Sequence, residues 1–185
     1  VYNISGRVPA GALLSPRIAP AVFGVGLLES IPEEKILSNA DENDANHDGV
    51  SGKPNYVWNN ITKQTELGSF GWKANVSTAQ EQVALAYNED MGITSPPIPL
   101  ENCHTSSVCD TTKDDPEISE KILDEVVFYV QTLGVPARRN YDNPDVKLGK
   151  KLFSQIGCNS CHTTEFKTES NKLIPELSNQ KIHPY

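Results

Sequence analysis

Apolar positions recur at helical spacing most clearly between Pro116 and Leu133. There Ile118, Ile122, Leu123, Val126, Val127, Val130 and Leu133 form one stripe. Asp115 stands where a helix cap belongs, Pro116 suits a first turn, and Gly134 with Pro136 stops the run. A second amphipathic segment opens at Pro144 behind Asn143. Its predicted buried face is Leu148, Leu152, Phe153 and Ile156, and Gly157 ends it. A third runs from a capping box at Ser77–Gln80 through Val83, Ala84, Tyr87 and Met91. A shorter helix is expected from Pro32 to about Asn39, with Glu33 and Glu34 at the positive end of its dipole.

The rest alternates poorly. Residues 1–28 are rich in Gly, Pro and Ala, and 41–54 and 92–115 read as polar loops. No pair of segments reads as a strand pair. The pattern therefore predicts a mainly α protein with long irregular loops.

Composition narrows the function. The 185 residues carry a net charge of -8 with 37% hydrophobic side chains. An acidic surface repels nucleic acid and anionic membranes, so neither is expected as a partner. No stretch of ~18 apolar residues is present to span a bilayer. The opening Val1-Tyr2-Asn3 lacks the features of a secretion signal, so compartment cannot be taken from it.

Chemistry concentrates in Cys158-Asn159-Ser160-Cys161-His162. Two thiols separated by two residues reach the two vinyl groups of one haem, and the following histidine falls beneath the iron. Cys158 and Cys161 are thus read as covalent anchors of haem c, and His162 as the proximal iron ligand. The alternatives fit less well. A thioredoxin-like pair wants a preceding strand, and a zinc site wants four ligands at finger spacing. A disulfide across two residues is strained.

Several blocks then resemble one family. Pro16-Arg17-Ile18-Ala19-Pro20, Gly24-Val25-Gly26-Leu27-Leu28-Glu29, Phe70-Gly71-Trp72-Lys73-Ala74-Asn75, Asp90-Met91-Gly92-Ile93-Thr94, Val135-Pro136-Ala137-Arg138-Arg139 and Ile182-His183-Pro184-Tyr185 are similar to bacterial di-haem oxidoreductases, relatives of bacterial cytochrome c peroxidases. The resemblance implies two cytochrome c-like domains, each with its own haem. Only one motif stands here, and a domain's last helix (116–133) precedes another's first helix (144–156). The expected organisation is therefore an internal fragment. Residues 1–138 would be the latter part of one domain, and residues 139–185 the first part of a second.

The resemblance implies a peroxidase-like enzyme that takes electrons from a redox partner protein and passes them to a small oxidant such as peroxide. A non-catalytic electron carrier is the rival reading, and a module that has lost one haem is a third. Covalent haem implies a periplasmic or other extracytoplasmic location, where Cys103 and Cys109 are expected to form a disulfide, with a free redox thiol pair as the alternative.

Secondary candidates remain. Met91, the single methionine, is a possible distal ligand of the other haem or a core filler. Asp44, Asn46 and Asp48, with the Val50 carbonyl, resemble a calcium loop over 44–55. Position twelve is Asn55, where an EF-hand needs glutamate; a loop shaped by Asx turns is the alternative. Trp72 reads as a core residue or an electron relay, and Arg17, Arg138 and Arg139 as propionate partners or solvated charges. His104 and His183 have no partner visible in sequence. Asn3, Asn60 and Asn75 open glycosylation-type triplets that carry little weight.

Overall fold

The computed structural model describes residues 18–101 and 112–184. Among these, five α-helices and two short hairpins occur in the order α1 (Val25–Glu29), α2 (Glu33–Leu37), β1 (Tyr56–Asn59), β2 (Gln64–Leu67), α3 (Ala79–Met91), α4 (Glu120–Thr132), α5 (Pro144–Gln155), β3 (Phe166–Lys167) and β4 (Lys181–Ile182). The chain is mainly helical, as its periodicity predicts.

The core forms where α4 crosses α3 and α1. Leu123, Val127 and Val130 of α4 are buried against Val83 and Ala84 of α3, with Val25, Tyr87, Ile98, Ile118 and Val126 around them. Ile122, expected in the same stripe, is exposed because it lies at the margin of that face. A second cluster of Phe70, Val76 and Ala79 packs beneath Val25, Leu28 and Leu85. Valine and leucine at these positions bury their side chains fully, at roughly 1.5–3 kcal/mol each.

Close packing at the α1–α4 crossing demands a glycine. A Cβ on Gly26 would collide with the Gln131 carbonyl oxygen and come within 2.9 Å of Leu177 Cδ1. The same crossing is closed by Gly24, whose N–H donates to the Leu133 carbonyl at 3.1 Å.

Several helix starts differ from the sequence expectation. The cap of α3 is Thr78, whose hydroxyl accepts from the Glu81 N–H at 3.2 Å, one residue later than the predicted Ser77 box. Ser77 is drawn instead toward Asn59 and Glu81. The cap of α4 is Ser119, not Asp115, and the helix begins four residues after Pro116. Asp115 is engaged elsewhere: its carboxylate accepts from the buried Thr94 hydroxyl, while Thr94 N–H donates to Glu117. Those bonds tie the loop after α3 to the approach of α4. For α5 the expectation holds, with Asn143 capping and Pro144 in the first turn.

The absence of strand pairs is a second correction. β1 and β2 pair antiparallel, with Tyr56 opposite Leu67 and Asn59 opposite Gln64, and β3 pairs with β4. Each strand has four residues or fewer, too short for a period-two signal to stand out. Polar side-chain bonds brace the first pair. The buried Asn59 accepts from the Ile61 and Thr62 N–H groups in the turn and donates to Glu66 and Ser77.

Candidate haem-attachment site

The attachment turn follows directly from the end of α5. Gly157 adopts φ 88°, a left-handed conformation that costs glycine nothing and reverses the chain just before Cys158. Cys158–Ser160 then form one 3-10 turn, and the N–H groups of Cys161 and His162 both donate to the Cys158 carbonyl, at 3.3 and 3.0 Å. This tight turn brings two thiols and an imidazole together within five residues.

The side chains are open to a ligand. Both thiols are free, Cys158 half-buried and Cys161 exposed, and His162 is exposed. The Phe153 ring meets the His162 ring edge-on with centroids 6.0 Å apart. That aromatic contact orients the imidazole from the helix side.

The apolar face of α5 departs from expectation. Leu148, Leu152 and Ile156 are 52%, 42% and 72% exposed, so the predicted buried stripe does not join the protein core. It lies on the helix that carries Phe153 and leads into the cysteines. The donor set of two free thiols and one accessible imidazole beside apolar surface fits a haem. Phe153, Leu152 and Ile156 suit a porphyrin face, and Cys158, Cys161 and His162 suit its vinyl edge and iron.

A cavity of about 400 Å³ lies behind the same turn. Asn159, Ser160, Cys161 and Thr163 face it from one side, and Ile36, Asp48 and Val50 from the other. Neither Cys158 nor His162 borders it. The polar loop between α2 and β1 therefore faces Cys161 and its neighbours across this cavity.

That loop includes the candidate calcium residues. Asp44 Oδ1 accepts from the N–H groups of Asp48 and Gly49 at 3.0 and 3.2 Å, and Asn46 Oδ1 from Asp48 at 3.0 Å. Asp48 Oδ1 accepts from the Val50 N–H at 2.8 Å. These Asx-type bonds account for the loop's shape. Among the described residues, no group of three or more His, Cys, Asp or Glu side chains is arranged to hold a metal ion. Asn55, at the twelfth position, turns its amide away to the Lys73 and Ala74 carbonyls.

The other candidates scatter. Met91 ends α3 with 57% of its surface exposed, so it does not fill the core. Trp72 is 64% exposed, correcting the expectation of a core position; its indole N–H donates to the Ile18 carbonyl at 2.7 Å. Arg138 and Arg139 are exposed. His183 Nδ1 pairs with the Thr164 carbonyl at 2.7 Å, a partner that sequence did not reveal. The expected Cys103–Cys109 disulfide, Arg17, His104 and Asn3 lie outside the described residues.

Comparison with known families decides the class. The family model described as di-haem oxidoreductase, putative peroxidase, matches residues 7–185. The chain belongs to the di-haem oxidoreductase family. No match was found among curated proteins or among solved structures. No helix among the described residues is long and apolar enough to cross a membrane.

One long-range bond escaped sequence reasoning. Asn171 donates to Ser30 from 141 positions away, while Thr168 bonds to Leu177 and Gln180 within its own segment. No local pattern distinguishes them from ordinary loop residues.

Proposed function

We propose that this chain carries one covalent haem c on Cys158 and Cys161, with His162 as the proximal iron ligand. It would serve a peroxidase-like electron-transfer enzyme outside the cytoplasm. The observation that carries this reading is the Gly157–His162 turn, which presents two free thiols and an exposed imidazole on the apolar side of α5. Family membership supports the redox class.

When bound, the haem supplies iron that changes its oxidation state by one electron. The chain's own residues do the rest. The 3-10 turn spaces the thiols for two thioether bonds. Phe153 restrains the His162 ring, and the apolar residues of α5 keep water from one side of the porphyrin. The electron source would be a redox partner protein and the acceptor a small oxidant such as peroxide.

The test is mass spectrometry of the chain matured in cells with a haem-attachment system. The expected result is one haem's mass on the wild type, lost in a Cys158→Ala, Cys161→Ala double variant. An unmodified wild type would overturn the reading. A visible spectrum that is wholly low-spin and indifferent to peroxide would favour an electron carrier over an enzyme.

A further inference from the structure

The haem-bearing turn has little packing of its own. No residue of α5 is buried, and the turn itself contributes no buried side chain. The segment that follows it is built differently. His183 holds the Thr164 carbonyl, Phe166 pairs with Ile182, and Lys167 with Lys181. Thr168, 2% exposed, then ties the strap together. Its hydroxyl donates to the Leu177 carbonyl at 2.6 Å and accepts from the Gln180 N–H at 2.8 Å.

This strap is fastened to the far end of the sequence. Glu169 N–H donates to the Ser30 carbonyl at 2.9 Å, and Asn171 Nδ2 donates to Ser30 Oγ at 3.3 Å. Ser30 is itself 5% exposed, and its hydroxyl donates to the Gly26 carbonyl at 2.8 Å. Next to it, Leu177 sits over Gly26, where a side chain would push it away. The end of α1 thus receives α4 on one side and the strap on the other.

We propose that Ser30 and Asn171 form a latch that positions His162, holding the haem-bearing turn to the α1–α3–α4 core through the strap 163–182. The inference rests on haem attachment at Cys158, Cys161 and His162. The path runs from Ser30 through Asn171 and Glu169 to Thr168, along the β3–β4 pair to Thr164, and so to the residue bonded to iron. Ser30 and Asn171 touch no haem atom in this scheme; they act through the strap.

The latch can be opened with small changes. Asn171→Asp keeps the side-chain oxygen that accepts from the Leu173 and Ile174 N–H groups and puts an oxygen in place of the amide that donates to Ser30, whose own hydroxyl proton goes to the Gly26 carbonyl. Ser30→Ala removes the hydroxyl from the other end. Ser38→Ala is the control, because that hydroxyl also donates to a carbonyl (Lys35, at 2.8 Å) yet faces solvent at the end of α2.

The experiment uses the natively matured chain, with covalent haem read by mass, midpoint potential by spectroelectrochemistry and backbone opening by amide exchange. Asn171→Asp and Ser30→Ala are expected to retain the haem mass. Amides of 163–182 should exchange about tenfold faster while those of α3 and α4 stay protected. The midpoint potential should move in both variants and stay fixed in Ser38→Ala. Loss of haem mass in the wild type would overturn the attachment reading itself. A haem-loaded, folded Asn171→Asp with wild-type exchange and potential would overturn the latch alone. Should Ser30→Ala fail to fold, Asn171→Asp decides the matter.

Discussion

Glu29 and Gln131 lie 102 positions apart, yet the Gln131 side-chain amide donates to Glu29 Oε2 at 2.6 Å. The other carboxylate oxygen of Glu29 accepts from the Ala79 N–H at 2.8 Å, at the first turn of α3. One side chain at the end of α1 thereby holds the start of α3 and the end of α4. A negative charge at a helix N-terminus is favourable in addition to the hydrogen bond itself.

Removing this bridge should be costly. Glu29→Ala leaves two partly buried donors unsatisfied and is expected to destabilise by about 2 kcal/mol in chemical denaturation. Combined with Gln131→Ala, the effects should fall short of additivity by roughly 1 kcal/mol, because both changes remove the same bond. Strictly additive losses would show that the two residues act independently.

Two glycines should respond in opposite ways to alanine. Gly26→Ala forces a methyl group into the Gln131 carbonyl and Leu177, and is expected to cost at least ~2 kcal/mol. Gly134 has a negative φ, and a methyl group added there would meet nothing within 4 Å. Gly134→Ala should be neutral or stabilise by about 0.5 kcal/mol through the unfolded chain. Thermal melts of the two variants side by side check both.

Glu66 links stability to pH. The Thr62 hydroxyl, donating at 2.6 Å, is the largest cause holding its carboxyl below the ordinary glutamate value; Asn59 and Ser77 add to this, while burial opposes it. A carboxyl depressed on folding contributes stability above its unfolded value, and that stability is lost as pH falls through the folded value. Thr62→Val is therefore expected to destabilise by only a few tenths of a kcal/mol at neutral pH, because solvent screens this exposed pair. The difference should begin to shrink as the pH falls below the unfolded glutamate value of about 4.3, and should vanish only as it passes through the lower folded value. Denaturation curves at pH 7 and pH 3 give the comparison, and a gap that widens in acid would contradict it.

The protein's two tryptophans, Trp58 and Trp72, are 57% and 64% exposed. Iodide should quench nearly all of the intrinsic fluorescence of the haem-free chain. Trp72→Phe should remove about half of the emission and cost about 1 kcal/mol, the worth of the bond to Ile18. A substantial unquenchable fraction would mean that an indole is buried.

Helices α2 to α5 were legible because each has a local cause. Leu123, Val127 and Val130 repeat at the period of a helix face, and Asn143-Pro144 is a cap and first turn written side by side. The Gly157–His162 turn was legible for the same reason. Its thiols, imidazole and left-handed Gly157 fall within six consecutive residues, so backbone geometry alone brings them together. The capping of α4 was misread because Asp115 and Ser119 are both good caps, and Asp115 is taken by Thr94, a residue 21 positions away.

What the chain encodes in short range, then, is its helical character and the tight turn that gathers Cys158, Cys161 and His162. Only the tertiary structure decided that α5 keeps its apolar face outside the core, that Trp72 reaches solvent, and that Glu29 and Ser30 hold partners more than a hundred residues distant. The physical reason is that periodicity reports which face of a helix is apolar but not what covers it. A hydrogen bond between remote loops depends on where the packed core places both ends, and no neighbouring residue records that.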